Sequence, residues 1–434
     1  MSQYARTPVD ALTARRLGLA PGWDRAALEA AQIQALQGTL RTAMQKSPWY
    51  ARRFAGLDPA SMRTGADLSD LPLLCASDIA DQGHVLLCVS QSEVARIITL
   101  HTSGSTGTPK RLFFTRQDLD ATEDFFLHGM FSLITPQDRV LALLPWEQPD
   151  CTGDLLIRAL TRQKIACQGV WPPPEWADLA QKIHAEKITS VVGLPQHMLA
   201  LSQKLAPHQV RTMLLCSDYA PHVLRQRIEQ ACGCTTFLHY GTTETGLGGG
   251  VECTAHAGCH VRESELLVEI IDPDTGQVLP EGELGEVVVT TLGRQAMPLI
   301  RYRTKDMARL TTEPCVCTGR TARLYDISGR RSTCVLPGEI PLSSQTLDDA
   351  LFGLDGLMDY RATIEAMDGQ VLLRLDFLCA PALSLEAELH NLLMGLEPIA
   401  LAVGHGLCLG PVQRVDVFAA SHTIKRTIVD TRRK

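Results

Sequence analysis

Between residues 94 and 240, six short apolar runs alternate with helical patterns, and no other feature narrows the fold of this chain so far. The runs fall at 96–101, 139–144, 164–170, 188–193, 212–216 and 235–240, with helical periodicity at 117–133, 176–186 and 222–230. Such alternation predicts a doubly wound, mostly parallel sheet, with ligands at the C-terminal ends of its strands. Upstream, residues 1–90 read mainly as helices, with 26–44 the clearest. Downstream, 265–271 and 285–292 read as strands flanking the turn Asp272-Pro273-Asp274-Thr275-Gly276, which predicts a small β-subdomain. Residues 331–434 mix strand and helix signals at 359–365, 371–377 and 383–394. The expected class is α/β: a large N-terminal domain over 1–329, with its β-subdomain at about 255–325, and a small mobile α+β C-terminal domain over 330–434.

The first run leads into Thr102-Ser103-Gly104-Ser105-Thr106-Gly107-Thr108-Pro109-Lys110. Glycines let backbone N–H groups approach phosphate oxygens closely, hydroxyls add donors without bulk, and a lysine adds charge. The spacing differs from the P-loop, and no Ser or Thr follows Lys110. A solvated Ser/Thr/Gly turn is the competing reading. This order of residues after a strand favours a nucleotide-binding loop built on Thr102, Ser103, Gly104, Ser105, Thr106, Gly107 and Lys110.

That loop resembles the phosphate loop of the adenylate-forming (AMP-binding) enzymes: acyl-CoA synthetases, luciferases and peptide-synthetase adenylation domains. The branch it most resembles is that of the phenylacetate–CoA ligases and their deazaflavin-adenylylating relatives. The likeness starts at Ser47-Pro48-Trp49-Tyr50, continues through Leu71-Pro72-Leu73, and thins in the last hundred residues. A second motif, His239-Tyr240-Gly241-Thr242-Thr243-Glu244-Thr245-Gly246, follows in the expected order. The resemblance implies that Tyr240, Gly241, Thr242 and Thr243 lie by the nucleotide and acyl group, and that Glu244 helps to hold Mg²⁺. A hard cation bridging phosphates does want a carboxylate oxygen. The resemblance also places Ser217-Asp218-Tyr219 at the adenine, and Asp306, in Arg301-Tyr302-Arg303-Thr304-Lys305-Asp306, on the ribose hydroxyls. A carboxylate can accept from both hydroxyls of a cis-diol. Lys305 stands where the family usually has glycine. Arg320 and Arg330 are further candidate nucleotide contacts, the latter where the family hinge begins. A C-terminal lysine that bridges carboxylate and α-phosphate would be Lys425. The acidic hinge residues common in the family are replaced here by Arg331-Ser332-Thr333-Cys334, so adenylation is better supported than thioester formation.

Two cysteine-bearing segments stand outside these motifs: Cys253-x-x-His256-x-x-Cys259-His260 and Cys315-x-Cys317. Tetrahedral zinc favours two ligand pairs from separate loops. Spacing alone leaves His256, Cys259 and His260 as alternatives. Relatives in the branch carry a cysteine and a histidine in the first loop and two cysteines in the second, which implies a structural Zn²⁺ on Cys253, His260, Cys315 and Cys317. Trp146 sits in a loop after a strand, either as a wall of the substrate pocket or as ordinary packing.

A net charge of −7 without a basic run argues against nucleic acid, and no apolar segment is long enough to span a bilayer. Fourteen cysteines at wide spacings in a chain of this length read as reduced thiols, which predicts a cytoplasmic protein. The resemblance implies an acid–thiol ligase acting on a small carboxylic acid with ATP, Mg²⁺ and coenzyme A, as a homodimer. The alternative is an adenylyltransferase that places AMP on a hydroxyl or passes the adenylate to another acceptor.

Overall fold

The computed structural model describes residues 7–100, 109–330, 333–367, 369–380, 382–416, 418 and 426–433. The fold is α/β, with a large mixed sheet and a separate small sheet towards the C-terminus. Five of the six apolar runs become strands of the large sheet: Arg139–Leu143, Ala166–Gly169, Ser190–Gly193, Thr212–Leu215 and Thr235–Tyr240. The first run behaves differently. Arg96–Leu100 pairs antiparallel with Lys110–Phe114, Leu100 opposite Lys110, in a two-stranded ladder of its own. The segment that follows the first run thus has a paired strand on each side of it, and Lys110 opens the second. Alternating apolar residues cannot reveal this, because either partner satisfies the same pattern.

The chain forms two compact units. The first comprises residues 1–172, 188–192 and 237–330. Its N-terminal helices are set by local signals. Thr7 caps the helix Pro8–Leu17 and Gly18 ends it in the left-handed region at φ 65°. Asp24 caps Arg25–Lys46. The buried Asp10 then accepts from the backbone N–H groups of Arg320 and Thr321, both at 3.1 Å, tying the first helix to a distant loop. Thr115 and Asp118 form a reciprocal capping box on Arg116–Met130. From Gly250 onward the unit is antiparallel, with strand order Leu266–Ile271, Gly285–Thr291, Tyr302–Thr311, Arg323–Arg330, Cys259–Val261, Gly250–Glu252, Thr235–Tyr240. Gly285–Thr291 is buried along its whole length, which explains its unbroken Val-Val-Val run.

The second unit comprises residues 173–187, 193–236 and 331–434. It holds the helices Trp176–Ala185, Pro195–Ser202 and His222–Cys232 and the strand Thr212–Leu215. Its four-stranded sheet runs in the order Leu407–Arg414, Gln370–Cys379, Leu357–Met367, Val429–Asp430. The central pair is an antiparallel hairpin and each outer strand adds in parallel.

Candidate active site and metal centre

The strand Thr235–Tyr240 delivers its C-terminal end into a tight turn held by two threonines. Thr242 N donates to Thr245 Oγ1 at 3.0 Å, and Thr245 Oγ1 donates back to the Thr242 carbonyl at 2.9 Å. Gly246 then takes φ 75°, which a residue with a Cβ resists. This turn buries Glu244 at 2% exposure, facing Lys110 at 4%. The Lys110 ammonium donates to Glu244 Oε1 and, at 2.9 Å, to the Tyr302 hydroxyl, which itself donates to Glu244 Oε1 at 2.9 Å. Two charges this deep cost solvation that their attraction does not fully return, so such a pair is poor evidence for stability and better evidence for chemistry.

Beside them, the Tyr240 hydroxyl donates to Asp306 Oδ2 at 3.1 Å. Burial first, and the Asp306 charge second, hold the Tyr240 phenol protonated far above its ordinary range. Asp306 is placed by a bulged register between Tyr302–Thr311 and Arg323–Arg330. Lys305 explains its own oddity: it sits at φ 66°, the left-handed region that glycine enters at lower cost. The neighbouring Arg301 faces away from this cluster, forking onto Glu269 at 2.9 and 3.0 Å as a framework ion pair.

The predicted residues thus divide. Lys110, Glu244, Tyr240 and Asp306 are brought together in the first unit with Gly241, Thr242 and Thr243 in the turn between them. Thr102, Ser103, Gly104, Ser105, Thr106, Gly107 and Lys425 lie outside the described residues, as does the Arg330 side chain. Arg320 is turned elsewhere: its guanidinium donates to the Gly22 carbonyl at 3.2 Å and lies over Trp23. Ser217, Asp218 and Tyr219 belong to the second unit. There Ser217 adopts φ 70°, Asp218 accepts from the Arg426 backbone N–H at 3.0 Å, and the Tyr219 hydroxyl donates to Asp349 at 2.8 Å. Trp146 packs on Gly169, where a Cβ would fall within 2.5 Å of its ring atoms.

Sequence reading missed two residues. Tyr302 lies inside a quoted motif, yet nothing in its spacing says that its hydroxyl joins Lys110 to Glu244. Arg426, which reads as part of a basic tail, is buried and bonds Asp348 at 2.9 Å, Gln196 at 2.9 Å and the Tyr219 carbonyl at 2.9 Å.

The cysteine-rich segments converge as well. The ligand atoms of Cys253, His260, Cys315 and Cys317 all lie within 4.8 Å of one another. Cys253 and Cys315 sulfurs are 3.8 Å apart, and Cys317 Sγ is 3.3 Å from His260 Nε2. Four ligands at about 2.0–2.3 Å from a tetrahedral Zn²⁺ would stand roughly 3.3–3.8 Å from one another. The other imidazole nitrogen, Nδ1, bonds Thr321 Oγ1 at 3.0 Å, the outer-shell contact that fixes a ligating ring. The alternatives point away: His256 Nδ1 faces Glu252 at 3.3 Å and Cys259 donates to the Leu238 carbonyl at 3.6 Å. The donor set fits zinc.

The family model described as "AMP-binding enzyme" matches residues 76–298. The phenylacetate–coenzyme A ligase of Pseudomonas putida is 30% identical over 332 residues, covering 72% of this chain and 74% of that protein. The phenylacetate–coenzyme A ligase of Thermus thermophilus is 29% identical over 323 residues, covering 70% and 71%. Among solved structures, 2-hydroxyisobutyryl-CoA ligase in the postadenylation state superposes with a TM-score of 0.75 at 20% identity, over 94% of this chain and 90% of that one, which supports the fold. No helix among the described residues is long and apolar enough to cross a membrane.

Proposed function

Because this chain belongs to the AMP-binding enzymes, in their phenylacetate–CoA ligase-like branch, and is by that kinship an acid–thiol ligase, we propose that it activates an aryl or small acyl carboxylic acid with ATP and passes the acyl group to coenzyme A. The carboxylate oxygen attacks the α-phosphorus, and the bond to the bridging oxygen breaks as pyrophosphate leaves. The thiolate of coenzyme A then attacks the acyl carbon. AMP departs with the electron pair of the C–O bond, and the thiol proton goes to solvent.

The observation that carries this reading is the buried group Lys110–Glu244–Tyr302, at the exit of the phosphate-loop segment. Lys110 places a cation where phosphate oxygens would enter, and Tyr302 keeps it aligned when Glu244 turns to a new partner. Glu244 is the carboxylate that would hold Mg²⁺, which would supply charge neutralisation for the departing pyrophosphate. Asp306, steadied by Tyr240, accepts from the ribose hydroxyls, while Ser217, Asp218 and Tyr219 receive the adenine. Lys425, next to the anchored Arg426, follows the shifting charge between carboxylate and α-phosphate. Cys253, His260, Cys315 and Cys317 hold a structural Zn²⁺ away from the chemistry. A cytoplasmic location belongs to the same reading, supported by thiols gathered as metal ligands.

The test is pyrophosphate release from Mg-ATP across a panel of aryl and short-chain acids, each with and without coenzyme A. Turnover to an acyl-CoA that requires both is expected. Release with acid alone and a stable AMP-bearing product would instead identify an adenylyltransferase.

A further inference from the structure

A cavity of about 310 Å³ opens in the first unit beside the Thr245–Gly246 turn, at the small end of ligand pockets, which run to about 300–1,000 Å³. Its walls include Arg16, Asp118, Gly246, Arg262, Glu265 and Arg294. Three guanidinium groups thus face one small space, and the question is which carboxylates answer them. Arg16 is held by Asp124 at 2.5 Å and faces Glu265 at 3.6 Å. Arg262 donates to Glu265 at 2.8 Å. Arg294 is left over. Among the described residues no oxygen accepts a hydrogen bond from it, and its contact is the face of Phe114, 5.3 Å from the ring centroid. Asp118 does not serve it, because that carboxylate is already taken by the backbone N–H groups of Thr115, Gln295 and Ala296 at 2.8–3.0 Å.

A second observation points the same way. A Cβ placed on Gly246 would meet Arg294 Nη2 at 3.0 Å and Arg262 Nη1 at 3.6 Å. Two guanidinium ends therefore lie near one glycine, and since Arg262 already has Glu265 through its Nε, Arg294 and the Arg262 Nη1 are the donors an added anion would meet. Burial, opposed by the Asp118 and Glu244 charges, pulls the half-buried Arg294 guanidinium down to about 10, which still leaves it charged at neutral pH. The planar fork of arginine matches carboxylate and phosphate oxygens two at a time.

We propose that this cavity is an oxyanion-binding site, with Arg294 as its anchor and Arg262 as its second donor, for a small organic molecule bearing a carboxylate or phosphate group. Lys110, Glu244 and Asp306 do not line the cavity, although the turn that carries Glu244 forms one of its walls. The carboxylate or phosphate is either the distal group of the acid being activated or belongs to a separate ligand.

Calorimetric titration of the full chain with inorganic phosphate, and separately with succinate, in the presence of saturating AMP tests it. Wild type is expected to bind at least one probe saturably. Arg294→Gln should weaken that binding at least tenfold, with AMP affinity unchanged as the control for folding and for the nucleotide site. Leu17→Trp, on the cavity wall, fills the space while keeping Arg294 and should weaken binding likewise if the arginine variant fails to fold. Equal affinity in wild type and both variants, or no saturable binding of either probe, overturns the site. Where Arg294→Gln raises KM for a diacid but not for a monoacid, the anion is the substrate's own. Where both KM values hold while probe binding is lost, it belongs to a separate ligand.

Discussion

The Cys/His cluster and the Lys110–Glu244–Tyr302 group are both buried in the same unit, yet they are assembled in opposite ways. The cluster draws on strands that are already ladder neighbours: Glu252 pairs with Cys259, and His260 with Arg323, just after the Cys315–Cys317 loop. Its ligands meet as soon as the antiparallel sheet forms. The lysine group joins residues 134 and 192 positions apart, from a separate hairpin, a turn and the start of a strand, with no ladder between Lys110 and either partner. The first is a local product of sheet formation. The second exists only once the unit has packed, and it burdens the fold with buried charge. One should therefore govern stability and the other turnover.

The largest effect expected is on turnover. Glu244→Gln keeps the shape and hydrogen bonds but removes the charge, and should lower acyl-CoA formation by about 10²–10³, as loss of a preorganised charge contact does. Metal content, read by atomic absorption, should stay the same. If turnover survives, the contrast collapses. Next, Cys315→Ser should release the metal and lower Tm by roughly 5 °C or more, while purified folded protein keeps most of its turnover at low temperature. Activity lost faster than structure would mean that the cluster does more than hold the sheet.

Two smaller effects sharpen the contrast. Asp306→Asn should raise KM for ATP about tenfold with a lesser change in kcat, the cost of weakened hydrogen bonds to a charged acceptor. Equal KM values would remove Asp306 from the ribose. The smallest effect concerns pH. His239 lies between Phe125 and Phe126, with ring centroids 6.2 Å from each, and burial holds its imidazole near 4 rather than 6.5. Unfolding therefore takes up a proton between those values, so stability is complete above about pH 6.5 and falls as pH drops towards 4. His239→Phe should flatten part of that acid-side slope in urea titrations at several pH values, and an unchanged slope would place the imidazole in water.

How much could be read beforehand follows the same division. Three of the apolar runs, now Arg139–Leu143, Ser190–Gly193 and Thr212–Leu215, are buried along almost their whole length, which leaves a local mark, and the turn Asp272–Gly276 announced its hairpin through residue types that turns require. The hairpin around residue 101–109 was not legible, since a strand's partner is chosen by what packs against it. Lys305 read as a departure from glycine, and only the backbone explained it as a left-handed residue beside a bulge.

The sequence by itself determined the order of the elements, the motif segments bearing Lys110, Glu244 and Asp306, and the paired cysteines that a metal would bridge. These are legible because period, turn chemistry and short spacing are properties of neighbours along the chain. Tertiary structure alone decided that Tyr302 links Lys110 to Glu244, that Arg320 serves the N-terminal helices, and that Arg426 is buried among aspartates. It also left Arg294 without an acceptor among the described residues. The physical reason is that the partner of a long polar side chain is set by desolvation and reach after packing, and neither quantity is written along the chain.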